Sequence, residues 1–157
     1  MEKTNVMRML DKAHIAYMPH TYAHDDGLID GASVAKKLGQ NPAQVFKTLV
    51  TQGASRQYCV FVIPVLAELD LKKAAKSAGE KSVAMIPVAE INKVTGYIRG
   101  GCSPIGMKKN FLTVFDESAL AQKNICVSAG KIGTQVELAP QSLILLIRAK
   151  TAAIVAE

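Results

Sequence analysis

Gly96-Tyr97-Ile98-Arg99-Gly100-Gly101-Cys102-Ser103-Pro104-Ile105-Gly106 is the stretch on which the reading of this chain turns. It holds four of the 11 glycines. A Gly-Gly pair followed by Ser-Pro and a further Gly costs too much backbone entropy for a helix or a central strand. A shaped loop is expected, with backbone N–H groups free to face an anion or a developing oxyanion. A plain surface loop is the alternative. Neither G-x-x-x-x-G-K-[ST] nor G-x-G-x-x-G is present, and the loop follows an expected helix rather than a strand, so a nucleotide fold is not expected.

Upstream of the loop, Val6, Met9, Leu10 and Ala13 carry helical spacing behind a Thr4 cap, and Ile15 to Tyr22 suits a strand. Asp25-Asp26-Gly27 is turn chemistry. Asp30 can cap a helix with Val34, Ala35 and Leu38 inside, Lys36 and Lys37 outside, and Gly39 at its end. Asn41-Pro42 opens a helical turn. Phe46 to Thr51 and Gln57 to Ile63 form an expected antiparallel hairpin. Asp70 caps a helix with Leu71, Ala74, Ala75 and Ala78 on one face, Lys72, Lys73 and Lys76 on the other, and Gly79 beyond. Val83 to Ile86 is a short strand, and Pro87 to Val94 a helix ended by Gly96.

Downstream, strands are expected at Phe111 to Phe115, Ile125 to Val127 and Val136 to Leu138, with a helical turn at Asp116 to Leu120. Ser128 to Gly133 is a second small-residue loop. Pro140 before Leu143 to Ile147 favours a final helix. Strands and helices alternate without a βαβ rhythm. The expected architecture is α+β: a single domain, 1–157, with a central mixed, barrel-like β-sheet flanked by helices.

A length of 157 residues suits one full hydrophobic core, and no apolar run reaches transmembrane length. The opening Met1 to Asn5 has no apolar leader segment. Three cysteines at scattered spacings suggest neither a disulfide framework nor a zinc knuckle, so a reducing cytoplasm is expected. Lys and Arg exceed Asp and Glu by 19 to 13, which favours an acidic partner such as nucleic acid.

Candidate chemistry is sparse. His20 and His24 lie four apart, but an extended segment separates them by roughly 13 Å, too far for one metal ion. Cys102 could be a nucleophile or merely a small loop side chain. No G-x-S-x-G occurs and no Ser-His-Asp set can be assigned. Lys47, at the start of an apolar strand, either snorkels at the sheet end or enters a pocket, where it could hold a phosphate or polarise a carbonyl.

Several short motifs follow one another in a specific order: His20-Thr21-Tyr22, Phe46-Lys47-Thr48-Leu49, Leu69 to Lys73, Thr95-Gly96-Tyr97, Gly100-Gly101 with Ser103-Pro104 and Gly106, and Ser128-Ala129-Gly130-Lys131 with Gly133. The ordered set, running from the first helix to the last, resembles the YbaK/EbsC-type aminoacyl-tRNA deacylases. These include Cys-tRNA(Pro) deacylases and are related to the editing domain of bacterial prolyl-tRNA synthetases.

The resemblance implies a trans-editing hydrolase that cleaves mischarged Cys-tRNA(Pro) and needs no metal or cofactor. Lys47 would contact the acceptor end of the tRNA and orient the ester, with Tyr22 at the pocket and Thr48 beside the lysine. Gly101 would act in catalysis, within a loop of Gly100, Ser103, Pro104 and Gly106 whose backbone holds the aminoacyl carbonyl. Ser128, Gly130 and Lys131 would come from the second loop. In cysteine-specific members the substrate's own thiol attacks the ester, in keeping with the missing triad.

The chain departs from the family at Ala129, at Gln135 and in a shortened Tyr22 to Gly31 segment. No anticodon-reading module is evident, so prolyl-tRNA synthetase is an expected partner and a monomer the default. A deacylase of another small amino acid (Ala-tRNA type), a non-catalytic RNA-binding module using Lys72, Lys73, Lys76, Lys108 and Lys109, and a thiol enzyme using Cys102 are the alternatives.

Overall fold

The computed structural model describes residues 2–157; Met1, the first residue of the expected 1–157 unit, lies outside the described residues. The elements run α1 (Asn5–Lys12), β1 (Met18–Thr21), α2 (Gly31–Leu38), β2 (Phe46–Gly53), β3 (Tyr58–Pro64), α3 (Leu71–Ala78), β4 (Val83–Met85), α4 (Ile91–Thr95), β5 (Leu112–Asp116), β6 (Ile125–Lys131), β7 (Thr134–Leu138), α5 (Pro140–Ile147) and β8 (Lys150–Ala152), with 3₁₀ turns before β2, α4 and β6.

Local chemistry sets the helix ends. The Thr4 hydroxyl accepts from the Met7 N–H, Asp30 from Ser33, and Asp70 from the Lys72 and Lys73 N–H groups. Gly39, Gly79 and Gly96 follow the last turns of α2, α3 and α4.

Two sheets form. One is β1-β7-β6, wholly antiparallel; the other is β4-β2-β3-β5-β8, in which β3, β5 and β8 are parallel neighbours. A parallel bridge between Val45 and Cys126 joins the sheets just before β2. The expected mixed α+β arrangement is present. Barrel-like closure is not: among the described residues, each sheet ends in edge strands.

The main core fills the space between the sheets. Val60, Val62 and Phe115 meet Ile125, Val127, Val136 and Leu138, and α1 and α5 plug it with Val6, Met7, Leu10 and Leu143. A second core lies on the other face of the larger sheet, where Cys59, Phe61, Ile63 and Val114 pack against Ala74 and Ala75 of α3. The strand β3 thus buries both faces, which is why its sequence is continuously apolar rather than alternating. Each fully buried Val, Ile or Phe here contributes about 1.5–3 kcal/mol relative to exposure.

Several details differ from the sequence reading. The strand β1 is shorter than Ile15 to Tyr22. Leu71, placed on the inner face of α3, is exposed. The segment Ser128 to Lys131 is strand rather than loop, bent by a register shift between those two residues. Lys37 turns away from bulk water into the Ala23 to Leu28 loop.

Candidate active site

A cavity of about 780 Å³ opens at the seam between the two sheets. That volume lies within the range of small-molecule sites. Its walls come from six places. Phe46, Lys47, Thr48 and Leu49 arrive from β2, Ser128 from β6, and Thr134 and Gln135 from β7. Tyr22, Ile29 and Asp30 come from the segment after β1, with Gly31 and Ala32 from the first turn of α2. Arg99, Gly100 and Cys102 come from the glycine loop.

Five residues expected at a site are therefore brought together: Tyr22, Lys47, Thr48, Gly100 and Ser128. Cys102, weighed as a nucleophile, joins them. Lys47 is half-buried, and no carboxylate lies within ion-pairing range of it among the described residues. An ammonium without a carboxylate partner at a cavity wall can attract an anionic group of a ligand. Arg99, exposed at the rim, adds a second unpaired cation.

The other expected residues stand elsewhere. Gly101 is buried and outside the cavity lining. Its N–H donates to the Ile98 carbonyl at 3.0 Å, closing a turn, so it is not available to an oxyanion. A Cβ at Gly101 would stand 3.1 Å from the Ile132 nitrogen and 3.3 Å from the Lys131 carbonyl carbon. The glycine is needed where the two loops meet backbone to backbone.

Ser103 is fully buried, and its hydroxyl accepts from the Ile105 N–H at 3.3 Å. Pro104 and Gly106 line a separate, smaller hollow beside Met9 and Phe111. Lys131 is exposed and outside the lining. Gly106 and Gly130 adopt φ of 78° and 89°, and a Cβ at either would strike the Tyr97 ring or hydroxyl, at 2.8 and 2.9 Å. The Tyr97 hydroxyl donates to the Ile105 carbonyl at 2.6 Å. Burial, with a smaller contribution from Cys102, pushes the Tyr97 phenol up to about 12. Tyr97 is thus a pin between the two glycine segments, held away from the cavity.

Within the glycine loop, the N–H groups of Gly100 and Cys102 have no intramolecular acceptor among the described residues. Burial pushes the Cys102 thiol up to about 11, partly countered by a hydrogen bond with Thr95. A protonated thiol is a poor nucleophile at neutral pH. His20 is engaged elsewhere, 2.8 Å from Glu137.

Sequence reasoning did not assign Ile29, Gly31, Arg99 or Thr134 to the site. Gly31 carried a signal. It directly follows a capping Asp, and a side chain there would collide with Val65, so glycine marks a close approach of α2 to the body. Asp30, its carboxyl held low first by the Ser33 hydroxyl and then by the Ser33 N–H, fixes that turn at the cavity edge.

Comparison with known proteins bears on the family and the fold. Residues 30–146, most of the chain, match the aminoacyl-tRNA editing domain family. EbsC of Enterococcus faecalis, a proposed Cys-tRNA(Pro)/Cys-tRNA(Cys) deacylase, is 47% identical over 145 residues, covering 92% of this chain and 88% of the relative. The solved structure of a proposed trans-editing enzyme for prolyl-tRNA synthetase superposes with a TM-score of 0.81 at 20% identity, covering 99% of this chain and 100% of the other. A hypothetical protein superposes with a TM-score of 0.89 at 22% identity, covering 98% and 100%. At such identities these two likenesses speak for the fold alone. The extent of the sequence matches decides the assignment: the chain belongs to the aminoacyl-tRNA editing domain family, the YbaK/EbsC type of aminoacyl-tRNA deacylase.

Proposed function

We propose that this protein removes cysteine from mischarged Cys-tRNA(Pro). The observation that carries the reading is the unpaired Lys47 ammonium in a cavity shared with Tyr22, Ser128 and the free N–H groups of Gly100 and Cys102. In this reading Lys47, with Arg99 at the rim, holds the acceptor-end phosphate or ribose and fixes the ester. Tyr22 and Thr48 shape the acyl pocket, and the Gly100 and Cys102 N–H groups receive the oxyanion.

The substrate's thiol sulfur attacks its own ester carbonyl. The bond from the carbonyl carbon to the ribose oxygen breaks, the thiol proton passes to that oxygen, and a cyclic thiolactone leaves. Water then opens the thiolactone to free cysteine. Such chemistry asks the protein only for positioning and charge stabilisation, which accounts for a site without an assignable triad. Cysteine and proline are close in size, so a synthetase pocket separates them by only ~1–3 kcal/mol, which is why a second, hydrolytic selection is useful.

The whole chain, 1–157, is read as one editing unit, since β1 and β8 extend the two sheets beyond the matched residues. Among the described residues, no helix is long and apolar enough to cross a membrane. A cytoplasmic monomer working beside prolyl-tRNA synthetase is the proposed setting.

The test is a panel of Cys-, Ala- and Ser-tRNA substrates under single-turnover conditions. Cys-tRNA(Pro) is cleaved, while the two substrates without a thiol persist. Lys47→Ala lowers the rate by ~100-fold or more with the fold intact. Cleavage of Ala-tRNA in preference to Cys-tRNA assigns the protein to the Ala-tRNA type instead.

A further inference from the structure

In the segment after β1, residues 23–28 are tied to the body by one hydrogen-bonding side chain, beside the packing of the His24 ring against Gly133. Lys37, on α2, donates to the Ala23 carbonyl at 2.7 Å, to the Asp26 carboxylate at 2.8 Å and to the Leu28 carbonyl at 3.0 Å. An ammonium has three donors, and all three are used.

The loop's other hydrogen bonds are internal. Gly27 N–H donates to the His24 carbonyl, Leu28 N–H to Asp26, and Ile29 N–H to the Gly27 carbonyl. Among the described residues, every hydrogen bond that ties 23–28 to the body of the protein comes from Lys37. The loop is otherwise exposed, so it has little apolar burial to hold its shape.

Both ends of this loop carry cavity residues. Tyr22 precedes it, fixed through its N–H to the Gly133 carbonyl at 3.0 Å. Ile29 follows it and lies against Gly100, where a Cβ would be 2.6 Å from the Ile29 Cδ1. Movement of 23–28 therefore shifts the acyl-pocket wall against the loop that carries the Gly100 N–H. We infer that Lys37 is a positioning residue of the deacylation site, a three-point staple that sets the wall between Tyr22 and Ile29 and so the attack geometry of the bound acyl group. The inference rests on the deacylase reading above.

The experiment compares wild type, Lys37→Met, Asp26→Ala and, as control, Lys36→Met, whose parent side chain is exposed on the same helix. Methionine keeps the length and removes the donors. Single-turnover rates on Cys-tRNA(Pro) and Ala-tRNA(Pro) are measured beside hydrogen exchange of the free protein. Lys37→Met is expected to lower the Cys-tRNA rate about 10- to 100-fold, as misplacement near a reacting centre does. Ala-tRNA(Pro), which offers no thiol, persists with the variant as with wild type, and exchange quickens in 23–30 but not in β3 or β5. Asp26→Ala, which removes one of the three Lys37 bonds together with the Leu28 N–H bond inside the loop, gives a change in the same direction, and Lys36→Met gives none.

An unchanged Cys-tRNA rate in Lys37→Met, with an active wild type, overturns the inference alone. Exchange that rises equally across the core overturns it too, because the role is then general stability. A wild type inactive on every substrate overturns the deacylase reading and this inference with it.

Discussion

The backbone of Gly101 lies against the backbone of Ile132, so that a Cβ on the glycine would stand 3.1 Å from the Ile132 nitrogen. Backbone cannot swing aside as a side chain can. Gly101→Ala therefore forces the two loops apart by a few tenths of an ångström, and Gly101→Leu by more. Overpacking of this kind costs about 1–3 kcal/mol. Urea unfolding should show the midpoint falling in the order wild type, Ala, Leu, with activity falling alongside. The catalytic role that the resemblance implied for Gly101 points the other way, to lost activity with a smaller effect on stability. A leucine variant of unaltered midpoint and no activity would restore that earlier role.

Tyr97 and Gly106 are coupled through one oxygen. The Tyr97 hydroxyl bonds to the Ile105 carbonyl at 2.6 Å, and a Cβ at Gly106 would come within 2.8 Å of that hydroxyl. Tyr97→Phe loses a hydrogen bond worth about 1 kcal/mol. Gly106→Ala costs more, since its φ of 78° disfavours any side chain and the methyl meets the hydroxyl. In the double variant the oxygen is gone, so the combined loss should be smaller than the sum, by roughly 0.5–3 kcal/mol. A double-mutant cycle in denaturant measures it. Strict additivity would mean that the two residues do not meet in solution.

What was readable in the sequence was what local chemistry decides. Asp30 with Gly39 and Asp70 with Gly79 bracket two helices by caps that act within one turn. The apolar run Tyr58 to Ile63 declared a buried strand. The strand β8 was missed because nothing local demands it. Three residues, two of them exposed, pair with β5, and the Asp116 carboxylate takes the Ile154 N–H at 3.1 Å just beyond. Ser128 to Lys131 read as loop because its residues are small, yet its pairing with β7 and the full burial of Ala129 make it strand. At the site, Lys47 was legible through the order of the motifs around it. Lys37 was not, because helical spacing places it beside Lys36 and cannot show a loop folding back over its ammonium. Gly101 was found for the wrong neighbour: its sequence shows that something comes close, not what.

Cys102 lines the cavity, yet its thiol is pushed up to about 11 by burial. The native state thus favours the neutral thiol. That contribution to stability is complete below the unfolded value, about 8.5, and is lost as pH rises through about 11. Alkylation of Cys102 by iodoacetamide should be slow at pH 8 and accelerate towards pH 11, followed by peptide mass spectrometry. Cys102→Ser, which leaves the backbone N–H in place, should retain most of the deacylation rate. Loss of activity in that variant, together with fast alkylation at neutral pH, would revive the thiol-enzyme alternative.

Gln135 closes one side of the cavity through Gln40. The Gln40 amide donates to the Gln135 oxygen at 2.7 Å, and the Gln135 amide returns a bond to the Gln40 oxygen at 3.3 Å. Gln135 is only 3% exposed, so its amide has few other partners. The pair ties the segment just after α2 to β7 beside the cavity. Gln135→Leu leaves the Gln40 amide facing an apolar neighbour and should cost about 1–3 kcal/mol. Gln40→Leu with Gln135→Leu removes both polar groups, and the double variant should recover part of that loss, because two apolar side chains replace a satisfied pair rather than half of one. Urea midpoints of the three variants test this directly. A double variant less stable than either single one would show that each amide bonds independently, to water or to another group, and that the seam is held by other contacts.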